Sequence, residues 1–359
     1  MAWRRVDVTA TSRPAVRTGS PRILIIRRDN IGDLVCTTPL VAALRRRYPE
    51  AWLGALVNDY SRPVLDNNPD LDEVFSYQKA KHRGSDQGLF GVYWQRLKML
   101  AALRRRRIDY VVLAAPGFQA SAERFARLVG ARHIIGFDNG TRLADMKVPV
   151  QSVGPLHQVE IVFKLLAPLG ITGQPPALSL NADPQRVARF RPLLGAPSGP
   201  VVGVHISARE SNRRWPDAHF AELIDALMVR EAATVVLTWA PGGRDRSEFP
   251  GDDGSARQLL SQRDDKRLLA IATHDLADLI ASLSICDVVI CSDGGPVHLS
   301  AALGKPVVCL FGDERPALWH PWGVPYRLLQ PPSQQVRDIA VAEVLSACSS
   351  LLAEVKRRG

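Results

Sequence analysis

Cys286-Asp287-Val288-Val289-Ile290-Cys291-Ser292-Asp293-Gly294-Gly295-Pro296-Val297-His298 joins a nearly all-apolar run to a turn of two glycines and a proline. The run Cys286 to Cys291 is too short for a buried helix and reads as an inner strand of a parallel sheet. Pro296 to Leu303 has helical composition and is closed by Gly304, with Pro suited to a helix start and Gly to the residue just past its end. The glycines therefore stand where a strand passes into a helix N-terminus. Backbone N–H groups and the positive end of the helix dipole favour an anion there, most often a phosphate. Asp293 and His298 add polar groups at the same rim. A plain strand–helix turn, with Asp293 as a local cap and His298 as a packing residue, is the alternative.

The same alternation extends outward on both sides. Arg22 to Ile26 is a β-branched apolar strand, and Arg27-Arg28-Asp29-Asn30-Ile31-Gly32-Asp33 follows it before a helix over about 34–48. Strands are expected at 52–57, 72–77, 110–113 and 133–135, with helices near 92–106 and 119–129. Residues 79–91 are polar and aperiodic, as in a loop. After the proline-bearing stretches 170–182 and 196–200, the pattern restarts with the strand Val201 to His205 and a helix over 217–230. A strand at 234–237, a helix over 276–284, the glycine turn, a last strand at 307–310 and a helix over 339–355 complete it. Strands alternating with helices of this length imply βαβ units and parallel sheets. The expected fold class is α/β, two doubly wound Rossmann-like halves, with ligands held beyond the strands' carboxyl ends in the cleft between them. The expected division is a basic disordered arm over 1–20, a first domain over 21–180, a second over 181–335 and a C-terminal helix over 336–359.

Composition narrows the function. A chain of 359 residues with 23% charged and 46% hydrophobic residues is globular, and no apolar run nears the ~20 residues of a bilayer span. Met1 to Pro21 lacks the apolar core of a secretory signal. The five cysteines are odd in number and lack metal-ligand spacing, which suits a reducing, cytoplasmic setting. The net charge of +10 is concentrated at Arg45–Arg47 and Arg104–Arg107. Both runs end helices, where cations suit the dipole, or else they face an anionic membrane or a phosphorylated acceptor. Nucleic acid is not expected as a partner, because no aromatic residues interleave with the arginines.

Two further strand ends carry chemistry. Asp33 is a carboxylate at a helix start, either a cap or a general base facing the cleft. Ser207-Ala208-Arg209-Glu210-Ser211-Asn212-Arg213-Arg214-Trp215-Pro216 supplies hydroxyls and forked guanidiniums suited to phosphate.

Three segments together resemble glycosyltransferase family 9, the bacterial heptosyltransferases: Arg27 to Pro39, Ser211 to Asp217, and Ser292 to Gly312. The resemblance runs in order from about Arg22 to Gly323. It implies a GT-B fold and transfer of a sugar, usually heptose from ADP-heptose, to a lipopolysaccharide core. It also implies that Asp33 is the base and that Arg213 contacts the diphosphate. Asp293, Gly294, Gly295 and His298 would then cradle the nucleotide phosphates, with Ser207 and Arg209 beside them. His274 would lie near the adenine, and the loop from Trp239 to Asp245 near the ribose. The chain departs from the family pattern at Gly294 and Arg209, where small hydroxyl residues are common. An inverting transfer needs one base, one stabiliser of the leaving group and a held geometry. With no Asp-x-Asp clamp, the cationic role falls to Arg213 and backbone dipoles, so neither a metal nor a bound cofactor is expected beyond the nucleotide-sugar donor. The expected partners are that donor, a phosphorylated glycolipid and the inner face of the inner membrane, where the protein would sit peripherally. A non-catalytic sugar-nucleotide-binding or glycolipid-binding module on the same fold is the alternative. A dinucleotide oxidoreductase fits poorly, since no Gly-x-Gly-x-x-Gly follows the first strand.

Overall fold

The computed structural model describes residues 20–77, 89–149, 155–244, 250–261 and 263–358. Among the described residues twelve strands form two six-stranded sheets, every pairing parallel. The first contains β1 (Arg22–Ile26), β2 (Trp52–Asn58), β3 (Glu73–Tyr77), β4 (Tyr110–Leu113), β5 (His133–Phe137) and β6 (Met146–Val148). The second contains β7 (Val201–His205), β8 (Thr234–Trp239), β9 (Leu268–Ala272), β10 (Val288–Ser292), β11 (Val307–Leu310) and β12 (Tyr326–Leu329).

The strand orders are β3-β2-β1-β4-β5-β6 and, read from the other edge, β9-β8-β7-β10-β11-β12. Both follow the doubly wound 3-2-1-4-5-6 plan, with a switch point between first and fourth strands where a crevice opens. The central strands are apolar on both faces because helices cover both. Ile23, Leu24, Val111, Val112, Val289 and Ile290 are fully buried.

Several elements differ from the sequence pattern. The helix expected over 34–48 is two helices, Ile31–Val35 and Thr38–Arg47, with Pro39 starting the second. β6, β9 and β12 were not expected. Each is short, and β9 and β12 are largely half-buried edge strands, so none shows an all-apolar run. The second sheet accordingly ends at β12, not at 307–310. Residues 1–19 of the expected arm and 79–88 of the expected loop lie outside the described residues, while the chain from Leu89 is already helical. The C-terminal helix Val341–Arg358 packs Val344, Cys348, Leu351 and Leu352 against the second sheet. No helix among the described residues is long and apolar enough to cross a membrane.

The two halves meet through the first helix after each switch-point strand. Leu34, Val35 and Cys36 share one buried apolar cluster with Val297, Leu299 and Phe311. Gly32 lies so close to His298 that a Cβ there would come 2.6 Å from the imidazole Cδ2. Helix propensity alone favours Gly32→Ala by up to ~1 kcal/mol. Overpacking should reverse that and lower stability by about 1–3 kcal/mol. The penalty should largely disappear in a His298→Ala background, measured by chemical denaturation. Equal effects in both backgrounds would mean that this contact does not set the packing.

Candidate active site

The carboxyl ends of β1, β7 and β10 converge on a cavity of about 370 Å³ between the two halves. That volume is within the range of small-molecule sites. Asp33 lines one wall, with Asn30 and Tyr60. Ser207, Arg209, Arg213, Asp293, Gly294, Gly295 and His298 line the other, with Glu314 and Trp319.

Asp33 is not the cap of its helix. Asn30 holds that position, and Asp33 lies in the first turn, its Oδ2 accepting a 3.2 Å hydrogen bond from the Asn30 N–H. Its Oδ1 is 2.5 Å from Arg27 Nη2. Arg27 directly follows strand β1 and is 1% exposed. The sequence pattern alone assigns Arg27 no role. An arginine directly following an apolar strand, with carboxylates two and six residues on, is the signal that marks it.

The basic loop divides its arginines. Trp215 is buried and its indole N–H donates to the Ile339 carbonyl at 2.9 Å, anchoring the loop to the core. Arg214 turns away from the cavity to Asp252 at 2.5 Å. Arg213 turns inward, with Nη1 2.8 Å from Asp293 and Nη2 on Glu314. Burial pushes the Asp293 carboxyl up from 3.8 to about 6, Arg213 opposing it and Glu314 and Asp313 adding to it. Asp293 thus faces Arg213 as its ion-pair partner on the cavity wall.

The glycine turn differs from the expected one by a residue. The helix begins at Gly295, with Gly294 as its cap, and runs to Ala302. Gly294 has φ +148°, a conformation accessible essentially only to glycine, whereas the space around it is open. Backbone conformation, not crowding, requires glycine at this position. His298, in this helix, is 3% exposed. Burial and the nearby His320 lower its pKa to about 4, so it meets the cavity as a neutral imidazole. Trp319 stands edge-on to it, ring centres 5.6 Å apart.

Trp239 and His274 do not line this cavity. Trp239 ends β8 and donates its indole N–H to Asp253 at 2.8 Å, and His274, two residues past β9, is exposed. The Ser207 hydroxyl accepts from the Ala240 N–H at 2.9 Å, tying this strand end to the cavity wall. Asp245 lies outside the described residues. Among the described residues no group of three His, Cys, Asp or Glu side chains is arranged to hold a metal ion.

Two sheets of identical winding face each other across a cavity with a carboxylate on one wall and an arginine above a helix start on the other. Comparison with known proteins is specific. Glycosyltransferase family 9 (heptosyltransferase) matches residues 96–339, and the chain belongs to that family. It is a glycosyltransferase. Lipopolysaccharide heptosyltransferase 3 of Escherichia coli is 25% identical over 346 residues, covering 89% of this chain and 96% of that protein. Lipopolysaccharide heptosyltransferase 2 of E. coli K12 is 26% identical, covering 82% and 84%. Among solved structures, the family 9 glycosyltransferase of Veillonella parvula superposes with a TM-score of 0.81 at 18% identity, covering 95% of this chain and 99% of that one. E. coli ADP-heptose lps heptosyltransferase II gives 0.75 at 21%, covering 93% and 99%. The fold is therefore the GT-B arrangement expected from the family resemblance.

The Asp293 environment makes stability depend on pH in a definite direction. With its pKa raised from 3.8 to about 6, the folded protein holds this proton more tightly than the unfolded chain. Stability from this group is present at low pH and is lost as pH rises from about 4 to 6, by ~3 kcal/mol in all. Asp293→Asn removes the titration. The melting temperature of the variant relative to wild type should therefore climb between pH 4 and 7. A difference that falls over that range would show that pairing with Arg213 outweighs burial.

Proposed function

We propose that this glycosyltransferase moves a heptose from ADP-heptose onto a lipopolysaccharide-core or related glycan, with inversion at the anomeric carbon and without a metal. The observation that carries this is the pairing, across one cavity, of Asp33 with Arg213 and the Gly294–Gly295 helix start. Support also comes from the relatives, which are named lipopolysaccharide heptosyltransferases, and from a structural neighbour described as heptosyltransferase WaaC with ADP.

In this reading an acceptor hydroxyl attacks the anomeric carbon while its proton passes to the Asp33 carboxylate. The bond from that carbon to the β-phosphate oxygen breaks, and the nucleoside diphosphate leaves with the electron pair. Negative charge grows on the leaving diphosphate. Arg213 and the dipole of the helix Gly295–Ala302 meet that charge in a partly buried setting, where fixed donors are worth most. Glu314 competes with the diphosphate for Arg213, and Asp293 keeps the guanidinium in place. The neutral His298 adds a hydrogen bond rather than a charge. Ser207 and Arg209 complete the phosphate wall, and Trp239 and His274 belong to the nucleoside end beyond β8 and β9. Asp33→Asn should bind ADP as wild type does and lose about 100- to 10,000-fold in turnover. Full turnover in that variant, by acceptor-dependent nucleotide release, would remove Asp33 as the base.

We also propose that the acceptor side docks peripherally on the inner face of the inner membrane. Arg45 does not serve this purpose, because its guanidinium is committed to the carbonyls of Pro49, Ala51 and Asp70 and to Asp72. The supporting face belongs to the helices Leu89–Arg105 and Ala120–Val129, joined where Arg104 Nε donates to the Leu128 carbonyl at 2.7 Å. Leu97 and Leu128 are exposed there beside Arg104, Arg105, Arg124 and Arg127. The first helix contains no acidic residue, and the one carboxylate of the second, Glu123, bonds Thr141 and the Arg142 N–H. Each basic side chain near an anionic surface contributes about 1 kcal/mol, screened beyond about 10 Å at 0.1 M salt. Changing Arg104, Arg105 and Arg107 together to Gln should weaken co-sedimentation with anionic vesicles on the order of 100-fold. Wild-type binding should fall with salt; binding indifferent to lipid charge would remove this partner.

A further inference from the structure

We propose that Arg27 is the positioning residue for Asp33, a role that rests on the reading of Asp33 as the base. Two hydrogen bonds and one further ion-pair contact hold the guanidinium. Nη2 lies 2.5 Å from Asp33 Oδ1, Nε lies 2.9 Å from Asp29 Oδ2, and Nη1 donates to the Ala114 carbonyl just past β4. Those contacts tie together the ends of β1 and β4, the two strands that flank the first switch point.

Asp29 is itself braced. The Gln119 amide, at the start of the helix Ala120–Val129, donates to its carboxylate, and the Tyr60 hydroxyl donates to its carbonyl at 2.7 Å. Arg27 therefore cannot rotate without breaking contacts to several separate segments. A planar fork transmits that rigidity to whatever it holds, which a flexible ammonium does not. Asp33's other oxygen accepts the longer bond from the Asn30 N–H. The Arg27 side fixes the carboxylate, leaving the Oδ2 side for the acceptor hydroxyl.

Stability does not account for this arrangement. Buried ion clusters are often no more stable than apolar packing of the same volume. An arginine at 1% exposure, directly following an apolar strand, needs another reason to be there. Its carboxylate partners keep 21% and 15% exposure, so the cluster opens on one side, toward the cavity that Asp33 lines.

Arg27→Lys, which keeps the charge but loses the fork, tests this. It should lower kcat for nucleotide release from ADP-heptose by about 10- to 100-fold, the loss expected from misplacing a reacting group by about 1 Å. The KM for donor and acceptor, the ADP affinity and the melting temperature should stay near wild type. Asp29→Asn, which leaves Arg27 in place but removes its brace, should give a smaller loss of the same kind. The deciding readout is the double-mutant cycle. If Arg27 acts through Asp33, Arg27→Lys adds nothing to the residual rate of Asp33→Asn. Equal fold-losses in both backgrounds, or an effect confined to KM or to melting, would overturn the positioning role while leaving Asp33 as the base. An Asp33→Asn variant with full activity would overturn both.

Discussion

The approach of Gly32 to His298 is the contact on which the rest of the site depends. Each half of the molecule ends a central strand at its switch point, and each follows it with a helix start. Those two helix starts are pressed together, close enough that a methyl group at Gly32 would collide with the imidazole. The apolar residues behind them, Leu34 and Val35 against Val297 and Leu299, share one core cluster. Because the halves meet here, the walls diverging from the contact set the width of the cavity. Asp33 is one residue from Gly32, and the Gly294–Gly295 turn is three residues from His298. A packing constraint thereby becomes a catalytic distance.

Charge is distributed around that contact by the same logic on both walls. An arginine is shared between two carboxylates on each side: Arg27 with Asp29 and Asp33, Arg213 with Asp293 and Glu314. The two clusters differ in burial. Arg27 is sealed and fixed, which suits holding a base. Arg213 is partly open to the cavity, which suits a cation that meets an incoming anion. His298, made neutral by burial, lines the same cavity without adding charge. The raised pKa of Asp293 records the cost of keeping a carboxylate where Arg213 must be held rather than where it would be best solvated.

Much of the architecture was legible because both sheets are buried on both faces, so their central strands are unbroken apolar runs. The strands at 22–26, 110–113, 201–205 and 307–310 were read with their observed bounds for that reason. The edge strands β6, β9 and β12 were not, since half-buried edges carry mixed composition. The strand-end loops were legible as sites because glycine, proline and charged residues interrupt apolar runs there. Partnerships were not: nothing local shows that Arg213 turns inward and Arg214 outward, or that Glu314, 101 residues away, takes one arm of Arg213. Arg27 was hidden by its position inside a recognisable motif. Trp239, at the end of β8, and His274, just past β9, do not reach the central cavity.

Acceptor-dependent nucleotide release, measured over ADP-, GDP-, UDP- and dTDP-sugars with a lipopolysaccharide-core acceptor, tests the central claim most directly. The account predicts release of ADP from ADP-heptose, dependent on the acceptor and persisting in EDTA, with little turnover of the other donors. Release that needs a divalent cation, or turnover of a UDP-sugar in preference to ADP-heptose, would contradict it.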